Sequence, residues 1–307
     1  MEAIEFHQGI VPNRSVRECV ELARLAEDVG YKGFWVADSH SIFRDAFMVL
    51  ATAAMATERI ELAAGVTTTV TRHPAVQANA WASLQELSGG RAVLGVGVGE
   101  SAVRNLGLKP EKLAVFEQKV LAIKALLKGE AVEYEGHELK MAWSEFDVPI
   151  VMACSGPKSL QLGGRIADGV LFQVGTDPAF VRYALDNIRK GAESVGRKLE
   201  DLRLLMRVAC SVDDNREAAR EAVKGYASVA AGTTFATVPR EYFDDDLYEE
   251  LAAFKAGYDY QEHASSEAGH AKLLTDRILD AVAIAGTPEE AVPRFREIAD
   301  LGVDGFC

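Results

Sequence analysis

Residues 65–100 read GVTTTVTRHPAVQANAWASLQELSGGRAVLGVGVGE. They contain the end of one apolar run, a helix and the whole of the next apolar run. Pro74 suits the first turn of the helix, mostly helix-forming residues follow it, and Ser88-Gly89-Gly90 ends it. The second run carries glycine at 95, 97 and 99, which predicts a strand with one face free of side chains. Two interpretations follow: a flat ligand lies against this face, or the glycines only let the strand pack closely.

Short apolar runs rich in β-branched residues recur along the chain, with helical segments between them. The eight runs are residues 4–9, 33–37, 60–65, 92–97, 150–153, 169–173, 203–209 and 302–306. Strands that alternate with helices indicate a parallel sheet, and a count of eight favours a closed barrel over an open doubly wound sheet. A Rossmann motif is excluded because the glycine pattern is not G-x-G-x-x-G and follows the fourth strand instead of the first.

The sequence therefore predicts an α/β fold in which residues 1–307 form a single (β/α)8 TIM barrel. The loops after strands 4 and 7 are longer than a barrel needs, so we expect insertions there. The second insertion, around residues 213–280, is predicted to be helical.

Composition excludes several classes of partner. A net charge of −13 repels nucleic acid and anionic membranes, and no apolar run approaches the roughly 18 residues that a membrane span needs.

The four cysteines are scattered, which suits reduced thiols and a cytoplasmic protein. His137, His263 and His270 lack the spacing of a metal site, so we expect no metal. The acidic run Asp244-Asp245-Asp246 is interpreted as solvated surface.

In a barrel the active site lies at the carboxyl ends of the strands, so the residues that directly follow each apolar run are the candidates. These segments are residues 38–40, 65–67, 97–100, 154–157 and 173–176.

Six segments, at and around these positions, are similar to those of a known superfamily. They are residues 65–67, 71–76, 86–95, 155–158, 167–170 and 286–290. In them the chain resembles the luciferase-like superfamily of flavin and deazaflavin enzymes, and most closely its methylenetetrahydromethanopterin reductase-like branch, which uses coenzyme F420. The resemblance spans nearly the whole chain, and its most specific part is residues 71–97.

The resemblance implies a role for several residues at the barrel mouth. A cis peptide bond between Gly65 and Val66 would support the back of the deazaflavin ring. Asp38 and His40 would lie beside the ring, and Glu100 would face it. The superfamily has Asp and His adjacent, whereas here Ser39 separates them, so which of the two meets the ring stays open.

Further residues would hold the rest of the cofactor. Backbone amides at 153–156 and 175–176 would bind its phosphate, with Lys158 or Arg165 compensating the charge. The predicted cofactor-binding residues are Gly65, Val66, Thr67, Gly97, Gly99, Ala153, Cys154, Ser155, Gly156, Gln173, Gly175 and Thr176. Cys154 is interpreted as a small buried residue, not as a nucleophile.

The function implied is hydride transfer between coenzyme F420 and a small organic substrate, in an enzyme that forms a homodimer. His40 is the favoured proton carrier because imidazole exchanges protons near neutral pH, and Glu100 is the alternative if it is buried. Two other functions remain: an FMN-dependent monooxygenase that uses reduced flavin and O2, and a flavin-binding barrel without catalytic activity.

Overall fold

The computed structural model describes residues 3–257 and 273–307. The strands in these residues are β1 Glu5–Ile10, β2 Gly33–Val36, β3 Glu61–Ala64, β4 Thr67–Thr68, β5 Ala92–Gly97, β6 Val132–Tyr134, β7 His137–Leu139, β8 Ile150–Cys154, β9 Gly169–Phe172, β10 Arg203–Met206, β11 Ala209–Val212, β12 Ala283–Gly286 and β13 Gly305–Phe306.

The helices are α1 Val16–Asp28, α2 Ala46–Ala56, α3 Pro74–Leu87, α4 Ser101–Arg104, α5 Leu113–Leu127, α6 Pro157–Ile166, α7 Pro178–Glu193, α8 Arg216–Thr237, α9 Asp245–Ala256, α10 Asp276–Val282 and α11 Pro288–Ala299. Two short 3-10 helices span Leu199–Asp201 and Arg240–Tyr242.

The main sheet is a closed parallel barrel. In the described part of the chain its order is β3-β2-β1-β13-β10-β9-β8-β5-β4, and β3 also pairs with β5, which closes the ring. β3 and β4 are successive pieces of one barrel strand on either side of Gly65 and Val66, so the barrel has eight strands. The prediction of a (β/α)8 barrel is confirmed.

Two insertions extend the barrel where they were expected. After the fourth strand, β5, come α4 and the antiparallel hairpin of β6 and β7. After the seventh strand, β10, come β11, α8, α9, α10 and β12. The predicted strand over residues 203–209 needs correction: β10 ends at Met206, and Ala209 begins β11, which pairs in parallel with β12 in a separate sheet. His263 and His270 lie outside the described residues.

Contacts between Cα atoms divide the chain into two compact units. The first is Met1–Ala153, Ile166–Val170 and Cys307, and the second is Cys154–Arg165 and Leu171–Phe306. The single-domain organisation of the chain stays a prediction. None of the helices in residues 3–257 and 273–307 combines the length and apolar character that crossing a membrane requires.

In the first unit, charged side chains fix the ends of helices and strands. Glu27 in the last turn of α1 accepts hydrogen bonds from the backbone N–H groups of residues 58–60. Arg91 donates to the carbonyl oxygens of Ala54, Thr57 and Ile60, around the C-terminal end of α2. These contacts satisfy polar main-chain groups that would otherwise be unpaired where a helix ends and a strand begins.

In the second unit, two glycines allow α6 and α7 to cross closely. A Cβ atom at Gly164 would collide with the carbonyl oxygen of Ile188, and one at Gly191 would collide with that of Gln161. Each glycine therefore faces the main chain of the other helix.

Candidate active site

A tryptophan within the first unit packs against Gly65, one of the residues predicted to support the cofactor ring. Trp35 on β2 is 1% exposed and donates its indole N–H to Nδ1 of His7 on β1, at 3.1 Å. A Cβ atom at Gly65 would lie 3.1 Å from Cβ of Trp35, and one at Gly95 would lie 2.8 Å from Cζ3 of the indole. At Gly33 an added Cβ would collide with the imidazole of His7. A Cβ atom would therefore collide at Gly33 and Gly95 and be crowded at Gly65, so glycines on three neighbouring strands accommodate the His7–Trp35 pair.

This packing corrects the interpretation of residues 95–99 as one open face. The space next to Gly95 is filled by Trp35, and a Cβ atom there would also collide with the carbonyl oxygen of Ala64. Gly99 has a φ of +90°, and a Cβ atom there would collide with Val103. The close-packing interpretation is correct for Gly95, and the role of Gly97 and Gly99 in cofactor binding stays a prediction.

The peptide bond between Gly65 and Val66 is cis, as predicted. It separates β3 from β4, and β4 then pairs with the end of β5 at Val96 and Gly97. A Cβ atom at Gly97 would stand 3.2 Å from Cγ2 of Val66 and 3.6 Å from Cβ of Ala153. The absence of a side chain at position 97 thus leaves room next to the Val66 side chain.

Asp38 at the end of the second barrel strand belongs to a buried polar network. One carboxylate oxygen, Oδ2, accepts hydrogen bonds from the Thr67 hydroxyl at 2.6 Å and from the Arg72 guanidinium at 2.9 Å. The Asp38 side chain is 4% exposed and that of Arg72 is 23% exposed. Gln77 on α3 extends the network by donating to the carbonyl oxygen of Thr68. Asp38 lies in the loop that also contains Ser39 and His40. Its carboxylate therefore anchors this loop to Thr67 and to Arg72, just before α3.

Arg72 has two further contacts on its other side. Its guanidinium donates to Asp45, the N-cap residue of α2, at 3.4 Å and stacks on the ring of Phe47, 4.2 Å from the centroid. No local sequence signal indicates that Arg72 pairs with Asp38, because the two residues are far apart along the chain.

Ser39 and His40 differ sharply in burial. Ser39 is 3% exposed, and its hydroxyl group is hydrogen-bonded to that of Ser101 at 3.0 Å, whereas His40 is exposed. Ser101 is the first residue of α4, directly after Glu100. The hydroxyl pair links the loops that follow the second and fourth barrel strands, and neither serine was among the predicted site residues.

Glu100 does not satisfy the condition under which it would carry the proton. Its side chain is 74% exposed and forms an ion pair with Arg104, one turn further along α4. It is the N-cap residue of α4, but its side chain accepts no capping hydrogen bond.

The segment after β8, predicted to bind the cofactor phosphate, continues from Ala153 into the second unit. Cys154 is buried, which raises the pKa of its thiol to about 12. Ser155 and Gly156 lead into α6, where the carbonyl oxygen of Gly156 accepts from the Leu160 N–H. The first backbone N–H groups of a helix lack intrahelical partners, so this segment suits an anion.

The two cations assigned to this segment lie at opposite ends of α6. Lys158 is exposed in the first turn, whereas Arg165 is in the last turn of this ten-residue helix. At 1.5 Å per residue the two residues are about 10 Å apart along the axis. Lys158 is therefore the better placed of the two to compensate a charge at residues 154–156.

The backbone N–H of Thr176, which was predicted to bind the cofactor phosphate, already has a partner within the protein. Its backbone N–H donates to the carbonyl oxygen of Ala281 at 2.7 Å, and its hydroxyl group donates to main-chain oxygens of Asp280 and Ala283, both at 3.2 Å. These hydrogen bonds tie the loop after β9 to α10 and β12. The neighbouring Gly175 has a φ of +87°, and a Cβ atom there would lie 2.7 Å from the Ala281 oxygen.

Gln173 has a cationic neighbour. Its backbone N–H donates to the carbonyl oxygen of Cys154 at 3.3 Å, and its side-chain oxygen accepts from Arg207 at 2.8 Å. Arg207 follows β10 directly. Arg207 was not among the predicted site residues because the strand was expected to continue to residue 209.

A comparison with protein families identifies the relatives of this barrel. The model of the luciferase-like monooxygenase family matches residues 3–305. The chain belongs to the luciferase-like monooxygenase family.

Several relatives in the family cover most of the chain. The 5,10-methylenetetrahydromethanopterin reductase of Methanolobus tindarius is 33% identical over 308 aligned residues, which cover 98% of the chain and 91% of that enzyme. An F420-dependent glucose-6-phosphate dehydrogenase of Nakamurella multipartita is 33% identical over 233 residues, which cover 69% of each protein. The structure of the coenzyme F420-dependent tetrahydromethanopterin reductase of Methanopyrus kandleri superposes with a TM-score of 0.78 and 25% identity, covering 99% of the chain and 92% of that structure. The resemblance inferred from the sequence is confirmed.

Proposed function

We propose that this protein is a coenzyme F420-dependent oxidoreductase that transfers a hydride between the deazaflavin and a small organic substrate. The observation that carries the proposal is a closed parallel barrel that matches the luciferase-like family over residues 3–305 and has F420-dependent enzymes among its relatives. The chain fits such a cofactor at position 97, where a Cβ atom would crowd Val66. When bound, the deazaflavin would supply a hydride donor or acceptor.

The residues of the chain would hold and orient this cofactor. Gly65, Val66 and Thr67 would support the ring, and Gly97 and Gly99 would lie beside it through their main-chain atoms. The predicted phosphate ligands are the backbone N–H groups of residues 153–156 and of Gly175, and Gln173 is predicted to contact another part of the cofactor. Since the Thr176 N–H is already bonded to Ala281, Thr176 would position the loop without donating to the phosphate.

The proton-transfer roles follow from the polar contacts. His40 is exposed, and its imidazole would exchange a proton with the substrate. Asp38 would act as a positioning residue because its carboxylate is bonded to Thr67 and Arg72. Glu100 would replace His40 only after separating from Arg104.

The proposal is tested by offering the purified protein F420 and FMN separately and following binding by fluorescence. Each reduced cofactor is then mixed with a panel of carbonyl, imine and alkene acceptors without oxygen. Tight F420 binding with acceptor-dependent oxidation is expected, and Gly97→Val should weaken binding, whereas Gly232→Ala on α8 should not. Tight FMN binding with oxygen-dependent product formation would instead establish the monooxygenase alternative, and binding of neither cofactor would overturn the proposal.

We also propose that two copies of the chain associate. Helix α2 contains no charged residue, and it exposes Met48 by 64% and Met55 by 73%. An exposed apolar helix face of this kind is typical of a surface that another protein covers. A second copy of the chain is the occupant we propose, in agreement with the homodimer expected from the sequence.

For the compartment, we propose the cytoplasm. No disulfide bond joins any of Cys19, Cys154, Cys210 and Cys307 in the part of the chain that the structure describes, as expected in a reducing environment.

A further inference from the structure

Arg207 stands where three neighbouring barrel strands end. Its backbone N–H donates to the carbonyl oxygen of Phe172, the last residue of β9, at 2.9 Å. In the same way the N–H of Gln173 donates to the carbonyl oxygen of Cys154, the last residue of β8. Arg207 and Gln173 are thus the first residues beyond the carboxyl ends of adjacent parallel strands, the end of a barrel at which enzymes bind their ligands.

The charge of Arg207 is not neutralised by the described part of the protein. Its side chain is exposed, and its one hydrogen bond within residues 3–257 and 273–307 goes to the neutral amide oxygen of Gln173. Arg220, by contrast, forms ion pairs with Asp276 and Asp280. A guanidinium has five N–H donors, so Arg207 retains donors for another group while Gln173 fixes its orientation.

The chemistry of this arrangement suits an anion. Guanidinium groups bind carboxylate and phosphate oxygens through two parallel hydrogen bonds, which Lys158 cannot form. In an acidic chain with a net charge of −13, an anionic ligand must be met by a local cation.

We propose that Arg207, oriented by Gln173, binds an anionic oxygen group, a phosphate or a carboxylate, at the carboxyl ends of β8, β9 and β10. The group belongs either to the cofactor or to the substrate. The assignment to one of these two sources rests on the proposed function, whereas the anion site itself does not.

The anion site is tested first without any cofactor. Inorganic phosphate is titrated into the full-length protein, and binding is followed by calorimetry and by the thermal unfolding midpoint. Arg207→Gln should weaken phosphate binding by about tenfold or more. Gln173→Glu should also weaken it, because the new carboxylate would pair with Arg207 and neutralise its charge. Arg189→Gln on α7, which removes an exposed arginine paired with Asp186, should leave phosphate binding unchanged.

A second measurement identifies the source of the anion. If the cofactor supplies it, Arg207→Gln weakens F420 binding but not the binding of the same deazaflavin without its phosphate, and bound F420 abolishes the response to inorganic phosphate. If the substrate supplies it, F420 affinity is unchanged and the F420-loaded protein still responds to phosphate through Arg207.

The proposal is overturned if Arg207→Gln binds both inorganic phosphate and F420 as the unmodified protein does. It is also overturned if the unmodified protein shows no phosphate response and Arg207→Gln leaves F420 affinity unchanged. A protein that binds neither F420 nor FMN would refute the proposed function, while the phosphate titration would still decide the role of Arg207.

Discussion

Trp35 donates its indole N–H to Nδ1 of His7 across 3.1 Å inside the barrel, and the two rings meet edge to face. This hydrogen bond requires Nδ1 of His7 to be unprotonated, so in the neutral ring the proton is on Nε2. Nε2 lies 3.4 Å from a carboxylate oxygen of Glu5. Because Gly65 and Gly95 pack against the indole, the His7–Trp35 pair fixes the shape of the barrel beneath the cis peptide bond.

Replacing Trp35 should therefore weaken the fold. Trp35→Phe removes the donor to His7 and leaves a cavity, so we expect the free energy of unfolding to fall by about 2 to 4 kcal/mol. Urea unfolding followed by circular dichroism measures the change. Trp143→Phe is the control, since Trp143 is 46% exposed and should change the stability by less than about 0.5 kcal/mol. Equal effects of the two substitutions would contradict the packing argument.

The glycine at position 95 should be indispensable for stability. A methyl group there would collide with the carbonyl oxygen of Ala64 and approach the indole of Trp35, so Gly95→Ala should destabilise the protein by more than about 2 kcal/mol. Gly232→Ala is the matched control because a Cβ atom in that position of α8 meets nothing within 4 Å. It should stabilise the helix by up to about 1 kcal/mol. A neutral Gly95→Ala would restore the interpretation of Gly95 as part of an open face.

Local sequence pattern predicted the barrel well because each strand and helix is specified by its own residues. The helix over residues 74–87 begins with a proline and ends before Gly89 and Gly90, both of which have positive φ. Alternation of eight apolar runs with such helices then indicates a parallel barrel. By contrast, the pairing of β11 with β12 joins segments far apart in the chain, and no local signal specifies it.

The candidate site was predicted less completely, because contacts between segments that are far apart in the chain leave no local sequence signal. The cis bond was implied by family resemblance and is present, but the partners of Asp38 are set by tertiary structure. The alternating glycines matched the pattern of an open strand face, yet the pattern cannot show that Trp35 from a neighbouring strand fills it. Arg207 was missed because the seventh strand was predicted to span residues 203–209, whereas it ends at Met206.

The pairing of Asp38 with Arg72 should be measurable by a double-mutant cycle. Asp38→Asn leaves Arg72 without its buried carboxylate, and Arg72→Met leaves a buried charge on Asp38, so each should cost about 2 to 4 kcal/mol. The double variant should lose less than the sum of the two, with a coupling of about 1 to 3 kcal/mol. Urea unfolding of the four proteins gives the coupling, and additive losses would show that the ion pair contributes nothing.

The buried thiol of Cys154 should make stability fall at alkaline pH. Burial raises its pKa from the ordinary value of 9.0 to about 12, so between these values the unfolded chain releases a proton that the folded chain keeps. The contribution of Cys154 is thus fully present below pH 9 and declines by about 1.4 kcal/mol per pH unit above it.

The measurement compares unfolding of the unmodified protein and of Cys154→Ala at pH 8, 9.5 and 10.5. Groups other than Cys154 titrate equally in both proteins, so only the difference between the two curves is read. A difference that does not change with pH would show that the thiol is not buried in solution.

The exposed face of α2 should control association. Met55→Glu places a charge on a surface that we propose is covered by a second copy of the chain, so light scattering should report a lower molecular mass at equal concentration. Val195→Glu is the control, because Val195 is also exposed, by 49%, and lies outside this face. An unmodified protein that is monomeric at all concentrations would refute the homodimer.

His40 and Glu100 should differ in their effect on turnover. If His40 transfers the proton, His40→Ala lowers kcat by about 10² to 10⁴ while leaving F420 affinity nearly unchanged, because we propose that main-chain groups hold the ring. Glu100→Gln should change kcat by less than about threefold, since its carboxylate is exposed and paired with Arg104. The reverse ranking would assign the proton to Glu100 and would require it to leave Arg104 when the substrate binds.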